Sequence, residues 1–310
     1  MPVARVGYLG PEGSFSHEAV ASLADAEPTP VDTIPDLLQG VADGSLDRAL
    51  VPLENAIEGT VSATIDGLVF DHDLFIENEL VLPIRLHLLA RPGTDIGDLT
   101  TVFSYVHALA QCRSFLAGLG VATGHTTSTS QAARRVAEST EPWAAIGSAL
   151  AGELFGLVPL AADVEDHPEN ATRFVLVGRD EVAPATGHDR TTIVCFQDAD
   201  RPGSLYAILG RFAARDINLT KLESRPTKRG LGDYCFVIEF EGHVADDLVA
   251  DCLADLQSHL ARVKFLGSYP VTGEEAVEIR TEVIAARREA RGWVEALRSR
   301  IPGWGGSTAR

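Results

Sequence analysis

This sequence predicts an α/β fold in two parts, and three observations carry that expectation. Over residues 1–179 short apolar runs alternate with amphipathic segments, and several runs end in a Gly, Ser or Thr cluster just before a helix begins. Past residue 190 the order changes to strand, helix, strand, strand, helix, strand, the βαββαβ order of a ferredoxin-like sandwich. The length, 310 residues, exceeds what one small core accommodates and calls for two domains.

In the first part, strand 3–9 leads through Gly10-Pro11-Glu12-Gly13 to a helix near 16–23, and strand 49–53 leads through Glu54-Asn55 to a helix near 60–69. Segments 101–104, 121–123 and 144–147 repeat the arrangement. Two apolar segments, 80–90 and 173–179, have no partner in simple strand-helix alternation and read as crossovers between two lobes, with a cleft between them. Residues 180–190, DEVAPATGHDR, hold Pro, Gly and charge without periodicity, as a linker does. The second part, 191–270, places strands at 191–196, 217–224, 234–241 and 263–268 and helices at 204–214 and 245–260. In the tail, 271–310, Val283, Ala286, Ala290, Trp293, Leu297 and Ile301 recur at steps of three and four, which predicts a helix with one apolar face.

Composition narrows the function. A formal net charge of −18, with no block of clustered Lys or Arg, disfavours nucleic acid. The start MPVARVGYLG has no export pattern, and the apolar stretch LVLPIRLHLLA is short and holds Arg85 and His87, so neither membrane insertion nor export is expected and the location expected is the cytoplasm. The four cysteines, at 112, 195, 235 and 252, make no CxxC pair and read as buried thiols. Lysine occurs only at 221, 228 and 264, which removes Schiff-base and Walker-type phosphate chemistry from residues 1–220. Asp71-His72-Asp73 has no second ligand pair and reads as a surface turn, and no GxSxG elbow is visible. No metal or cofactor is expected.

Several polar clusters stand where strands meet helices. GYLGPEGSFS has GxxGxxG spacing with Pro11 at a donor position, which excludes a dinucleotide loop; Ser14 or Ser16 reads as an N-cap or as part of a carboxylate site. Glu54 and Asn55 end one apolar strand, and Gly59 and Thr60 are expected to open the next helix. In NATRFVLVG the period of two puts Thr172 and Phe174 on one face and Arg173 on the other, so Arg173 serves either a structural ion pair or a substrate carboxylate.

Taken together, GPEGSFS, VPLENAIEGTV, VFSYVHALAQC, ALAGELFGL and NATRF, in this order, resemble the prephenate dehydratase family. The resemblance continues through a regulatory ACT domain, where DADRPGSLYAILGRFAARDINLTKLESRP carries two signatures. It implies a two-lobed periplasmic-binding-protein-like catalytic domain, a monofunctional enzyme that converts prephenate to phenylpyruvate, phenylalanine as feedback ligand, and pairing of ACT domains into a dimer or tetramer. The threonine of TRF, essential in the family, is Thr172 here. Candidate substrate contacts are Ser14, Glu54, Asn55, Thr60, Ser104, Asn170, Arg173 and Phe174. Candidate phenylalanine contacts are Gly203, Ser204 and Leu205 in the turn from Asp200, Asn218 and Leu219 facing it, and Glu223, Ser224, Arg225 and Pro226. Two departures stand out: Ser104-Tyr105-Val106-His107 replaces the usual serine-histidine-proline-glutamine, and GSLY replaces GALV.

The chemistry so implied needs no redox centre or covalent nucleophile. The ring carboxylate leaves as CO2, the ring becomes aromatic, and the C4 hydroxyl must receive a proton to leave as water; positioned acid catalysis typically gives about 10²–10⁴-fold. Thr172 is the expected donor, acting through a hydrogen bond within a network. Two rivals remain: arogenate as substrate, and a non-catalytic solute-binding or effector-sensing module that needs anion sites without a proton donor.

Overall fold

The computed structural model describes residues 4–197, 201–228, 230, 232–272, 292–294, 296–298 and 300. Residues 1–271 make one compact unit and 272–310 a second. In the second unit the described residues 292–294 and 296–298 are helical, with Trp293 and Leu297 exposed. Val283, Ala286, Ala290 and Ile301 of the expected apolar face lie outside the described residues.

The first unit begins with β1 (Ala4–Leu9), α1 (Phe15–Ala21), β2 (Ala26–Val31), α2 (Ile34–Asp43) and β3 (Arg48–Asn55). A two-residue strand β4 (Gly59–Thr60) follows, then α3 (Ser62–Asp66), a π-helical turn Gly67–Asp71 and β5 (Phe75–Pro83). These form lobe 1 with a return strand, β11 (Ala171–Gly178), in the order β2-β1-β3-β11-β5, with β4 paired to β3. β3 lies in mid-sheet, and its run RALVPLEN is nearly continuous in apolar residues, as a strand covered on both faces requires. β2, AEPTPV, was not expected; its two prolines are tolerated because it lies at the edge of the sheet.

Lobe 2 holds β6 (His87–Ala90), β7 (Thr101–Tyr105), α4 (Val106–Gln111), α5 (Arg113–Leu119), β8 (Ala122–Thr126), α6 (Thr129–Glu138), β9 (Trp143–Gly147), α7 (Ala149–Phe155) and β10 (Val158–Ala161). Its sheet order is β10-β6-β9-β7-β8. The chain crosses between lobes twice, from β5 to β6 within the apolar segment 80–90 and from β10 to β11 over residues 162–170; the second apolar segment, 173–179, is not the crossing but the return strand β11, apolar because it lies inside the lobe 1 sheet. Each lobe buries its own core, around Leu50, Leu53 and Leu68 in lobe 1 and around Leu88, Val102 and Ile146 in lobe 2. Cutting such a leucine to alanine costs about 2–5 kcal/mol.

The sandwich runs β12 (Asp189–Phe196), α8 (Ser204–Ala213), β13 (Leu219–Pro226), β14 (Tyr234–Glu241), α9 (Asp247–His259) and β15 (Arg262–Pro270), with sheet order β13-β14-β12-β15. One face of this sheet packs under its helices through Ile193, Ile238, Phe240, Ile208 and Leu256. The other face shares a core with lobe 1: Val194, Val237, Leu266 and Tyr269 pack with Leu74, Ile76, Val175 and Val177. The approach is so close that a Cβ on Gly267, at φ +146°, would stand 2.3 Å from Ile76 O. β12 starts at Asp189, so the last two residues of the expected linker belong to the strand.

All four cysteines are free and buried, and burial pushes their thiols up, to about 12 for Cys112 and Cys195 and about 11 for Cys235 and Cys252. Among the described residues no helix is long and apolar enough to cross a membrane.

Candidate functional site

The centre of the molecule is the antiparallel pair β3 and β11, in which Thr172 lies opposite Asn55 and Arg173 opposite Glu54. Successive side chains of a strand point to opposite faces. One face of the pair therefore carries Asn55 and Thr172, and the other carries Glu54 and Arg173.

On the first face Asn55 is the hub. Its Oδ1 accepts the backbone N–H groups of Ile57 at 2.9 Å and Glu58 at 3.0 Å. Its Nδ2 shares its two hydrogens among Asn170 Oδ1 at 3.0 Å, Thr172 Oγ1 at 3.0 Å and, more distantly, Ala171 O at 3.3 Å. Backbone N–H groups only donate and Ala171 O only accepts, so the amide has a single orientation, and Thr172 Oγ1 is an acceptor toward Asn55. This bond does not use the Thr172 hydroxyl proton. Asn170, buried, passes the pattern on: its Nδ2 donates to Gln111 Oε1 at 3.0 Å. Gln111 Nε2 then faces Glu58 Oε1 at 3.4 Å, and His107 Nδ1 lies 2.7 Å from the same oxygen. His107 and Gln111 stand one turn apart on α4 of lobe 2, whereas Asn55 and Glu58 belong to lobe 1. The cluster thus joins the lobes.

The loop after β1 joins them as well. Ser130 Oγ donates to Glu12 O, and Ser148 Oγ donates to Gly13 O at 3.0 Å. Gly13 has φ +80°, and a Cβ there would lie 3.3 Å from Ala151 Cα. Ser14 is the N-cap of α1: its Oγ accepts His17 N–H and donates to Leu9 O. Ser104 is fully buried at the end of β7 and donates to Ile146 O at 2.6 Å. Phe174 is buried in the lobe 1 core with Val6, Tyr8 and Leu50.

The second face of the β3–β11 pair looks toward the sandwich. Arg173 donates to Glu54 Oε2 at 3.0 Å, to both Glu239 oxygens at 3.1 and 2.9 Å, and to Glu79 Oε2 at 3.4 Å; Arg190 reaches the same Glu79 oxygen at 2.6 Å. Burial works against the Arg173 charge, but the Glu239 and Glu79 carboxylates outweigh it and hold the guanidinium protonated. Burial likewise works against the Glu54 carboxylate, which the Arg173 hydrogen bond and the Lys221 and Arg173 charges bring below the usual range. Arg173 thus makes the ion pairs that one of its two readings expects.

Thr60 requires a correction. It was expected to open a helix; it lies on β4 opposite Glu54, and α3 begins at Ser62 without a side-chain cap. The hairpin forms because Asn55 Oδ1 ties down the N–H groups of its turn. Thr60 Oγ1 donates to Glu223 Oε2 at 2.7 Å and accepts from Lys221 Nζ at 2.9 Å. Lys221 also pairs with Glu54 Oε1 at 3.3 Å.

In the sandwich, alternation along β13 divides the expected regulatory residues. Lys221, Glu223 and Arg225 are partly buried, and Arg225 bonds Ser62 at 3.2 Å and Asp66; Leu222, Ser224 and Pro226 are exposed. Gly203, with φ +85°, caps α8; Ser204 Oγ donates to Gln197, Leu205 is partly buried beside it, Asn218 Nδ2 donates to Glu241 at 2.9 Å and Leu219 opens β13. Asp200 lies outside the described residues.

Glu58, His107 and Gln111 were not among the expected site residues. Gln111 stood in the quoted run ALAQC, but its meeting with Asn170 depends on how the lobes pack. At the departure from the family pattern, Tyr105 stacks on His107 at 5.0 Å between ring centroids and His107 takes Glu58.

Comparison with known proteins agrees with this arrangement. The prephenate dehydratase family model matches residues 6–182 and the ACT domain model residues 191–257. The prephenate dehydratase of Mycolicibacterium vanbaalenii is 39% identical over 96% of this chain and 99% of its own. The crystal structure of prephenate dehydratase from Arthrobacter aurescens in complex with L-Phe superposes with a TM-score of 0.83 at 36% identity, over 94% of this chain and 99% of that one. A solved protein, GqqA, described as a novel type of quorum quenching acylase, matches with a TM-score of 0.79 at 30% identity over 86% of this chain and 98% of its own. With a family match over more than half its length and such relatives from end to end, this chain belongs to the prephenate dehydratase family and carries an ACT domain after its catalytic part.

Proposed function

We propose that this chain is a prephenate dehydratase, forming phenylpyruvate, CO2 and water, with Thr172 as the proton-donating group. The observation that carries the assignment of Thr172 is the Asn55–Thr172 hydrogen bond, which engages the threonine oxygen as an acceptor and leaves its proton to donate. In the reaction the bond from the ring to its carboxylate carbon breaks, and that electron pair completes the aromatic ring. The C4–O bond breaks in turn, and the leaving oxygen takes up one proton to become water. A threonine hydroxyl is a weak acid, so it acts by hydrogen bonding the departing oxygen, with the proton drawn ultimately from solvent. Ser14, Asn55, Ser104 and Asn170, on or near the segments that bridge the lobes, are the groups assigned to holding the dianion. Glu54, Thr60, Arg173 and Phe174 are assigned to structure and to the sandwich contact.

Phenylalanine is the feedback ligand of this reading, bound by the ACT domain at the turn Gly203 to Leu205 beside Asn218 and Leu219. The structure of the Arthrobacter relative, solved with L-Phe, supports it. The enzyme works in the cytoplasm, paired through its ACT domains. Initial rates with prephenate and with arogenate, in the presence and absence of EDTA, test the assignment. Turnover of prephenate in EDTA is expected; turnover of arogenate alone reassigns the substrate, and turnover of neither returns the chain to a binding role.

A further inference from the structure

Thr172 is not polarised by its immediate neighbour alone. From Asn55 the hydrogen bonds continue with one sense: Asn55 Nδ2 to Asn170 Oδ1, Asn170 Nδ2 to Gln111 Oε1, and Gln111 Nε2 toward Glu58 Oε1. Each amide offers a donor at one end and an acceptor at the other, so a chain of amides is free to run either way unless its ends are fixed. Here one end is the backbone around Asn55. The other is Glu58, which as a carboxylate only accepts. The Glu58 backbone N–H also donates to Asn55 Oδ1, so the same residue touches both ends of the chain. His107 Nδ1, at 2.7 Å from the carboxylate, holds it from the first turn of the helix that carries Gln111.

We propose that Glu58 is a positioning residue for the dehydration. As the acceptor-only terminus of the Gln111–Asn170–Asn55 chain, clasped across the lobes by His107, it holds Gln111 and Asn170 in place behind Asn55, whose amide sense the backbone fixes, and so keeps the Thr172 hydroxyl in position. The inference rests on the reading of Thr172 given above. A Glu58→Ala variant unties Gln111 and loosens the side of Asn170 remote from Asn55, whose own amide the backbone still holds; a Glu58→Gln variant still offers a carbonyl acceptor.

The test is a double-mutant cycle in kcat with Thr172→Ala, since residues acting as one unit are not additive. Glu58→Ala is expected to lower kcat about tenfold with KM within about twofold of wild type, and Glu58→Gln to stay within about threefold. Both should melt as wild type does, because the Glu58 side chain is 42% exposed. In the Thr172→Ala background, Glu58→Ala is expected to cause no further loss, for no hydroxyl remains to orient. An active wild type in which Glu58→Ala keeps full kcat, or in which the two losses multiply, overturns the role of Glu58 and leaves that of Thr172 standing. A wild type without prephenate turnover overturns the reading of the site itself.

Discussion

The two faces of the β3–β11 pair differ in the parity of the residue number, and that difference separates a neutral hydrogen-bonded chain from a cluster of paired charges. Asn55 and Thr172 point to the junction of the lobes, where neutral amides and a hydroxyl form a directional chain. Glu54 and Arg173, their immediate neighbours, point to the ACT domain, where full charges are paired under burial. A short backbone thus lies between the hydroxyl proposed to donate a proton and the ion pairs that face the ACT domain. Lys221 and Glu239 tie the ACT sheet to the strands that carry Asn55 and Thr172.

The largest expected effect breaks the charged face. Arg173→Ala leaves Glu79 and Glu239 buried with reduced compensation, and breaking such a buried network costs about 3–5 kcal/mol; the fall in thermal midpoint measures it. The next breaks the other face. Thr172→Ala is expected to slow turnover at least about 100-fold, the low end for loss of a positioned acid, with an unchanged melting midpoint, while Thr172→Ser retains most of the rate. Near-normal turnover of the alanine variant moves the donor elsewhere.

A smaller effect concerns the effector end. Gly203→Asp crowds the start of α8 at a positive φ and places a negative charge beside the expected ligand carboxylate. Phenylalanine should bind about tenfold more weakly by calorimetry, with uninhibited turnover preserved.

The smallest sharpens the charged face through pH. Burial works against the Glu54 and Asp66 carboxylates, yet hydrogen bonds and charges from Arg173 and Lys221, and from Arg225 and Lys228, hold both below the usual range. A depressed carboxyl contributes stability that is present above its unfolded pKa and lost as the pH falls through the folded one. For groups this accessible the contribution is less than about 1 kcal/mol after screening. Melting midpoints are therefore expected to drop on acidification below the ordinary carboxylate range, and Asp66→Asn should flatten that slope.

Much of this arrangement is legible in the sequence because it depends on strand periodicity. The period of two in NATRFVLVG is enough by itself to separate Thr172 from Arg173, and the apolar segment 80–90 marks the first lobe crossing, whereas 173–179 is the return strand that follows the second. What is not legible depends on contacts between elements. A two-residue strand such as β4 has no periodicity, so Thr60 reads as a helix start. β2 hides behind Pro28 and Pro30. Glu58 and Gln111 meet only once two lobes have packed, and nothing local marks either. The second buried face of the ACT sheet is hidden for the same reason, since its partner is the sheet of lobe 1.

Glu54→Gln tests the separation of the two faces most directly, because Glu54 adjoins Asn55 yet belongs to the other face. Initial rates at saturating prephenate, titrated with phenylalanine, are the measurement. The expected result is a kcat within about threefold of wild type together with a displaced inhibition curve, since Lys221 and Arg173 lose their shared carboxylate while the Thr172 chain stays intact. A collapse of kcat comparable to that of Thr172→Ala, with the response to phenylalanine unchanged, would place Glu54 with the substrate and contradict the division of roles between the faces.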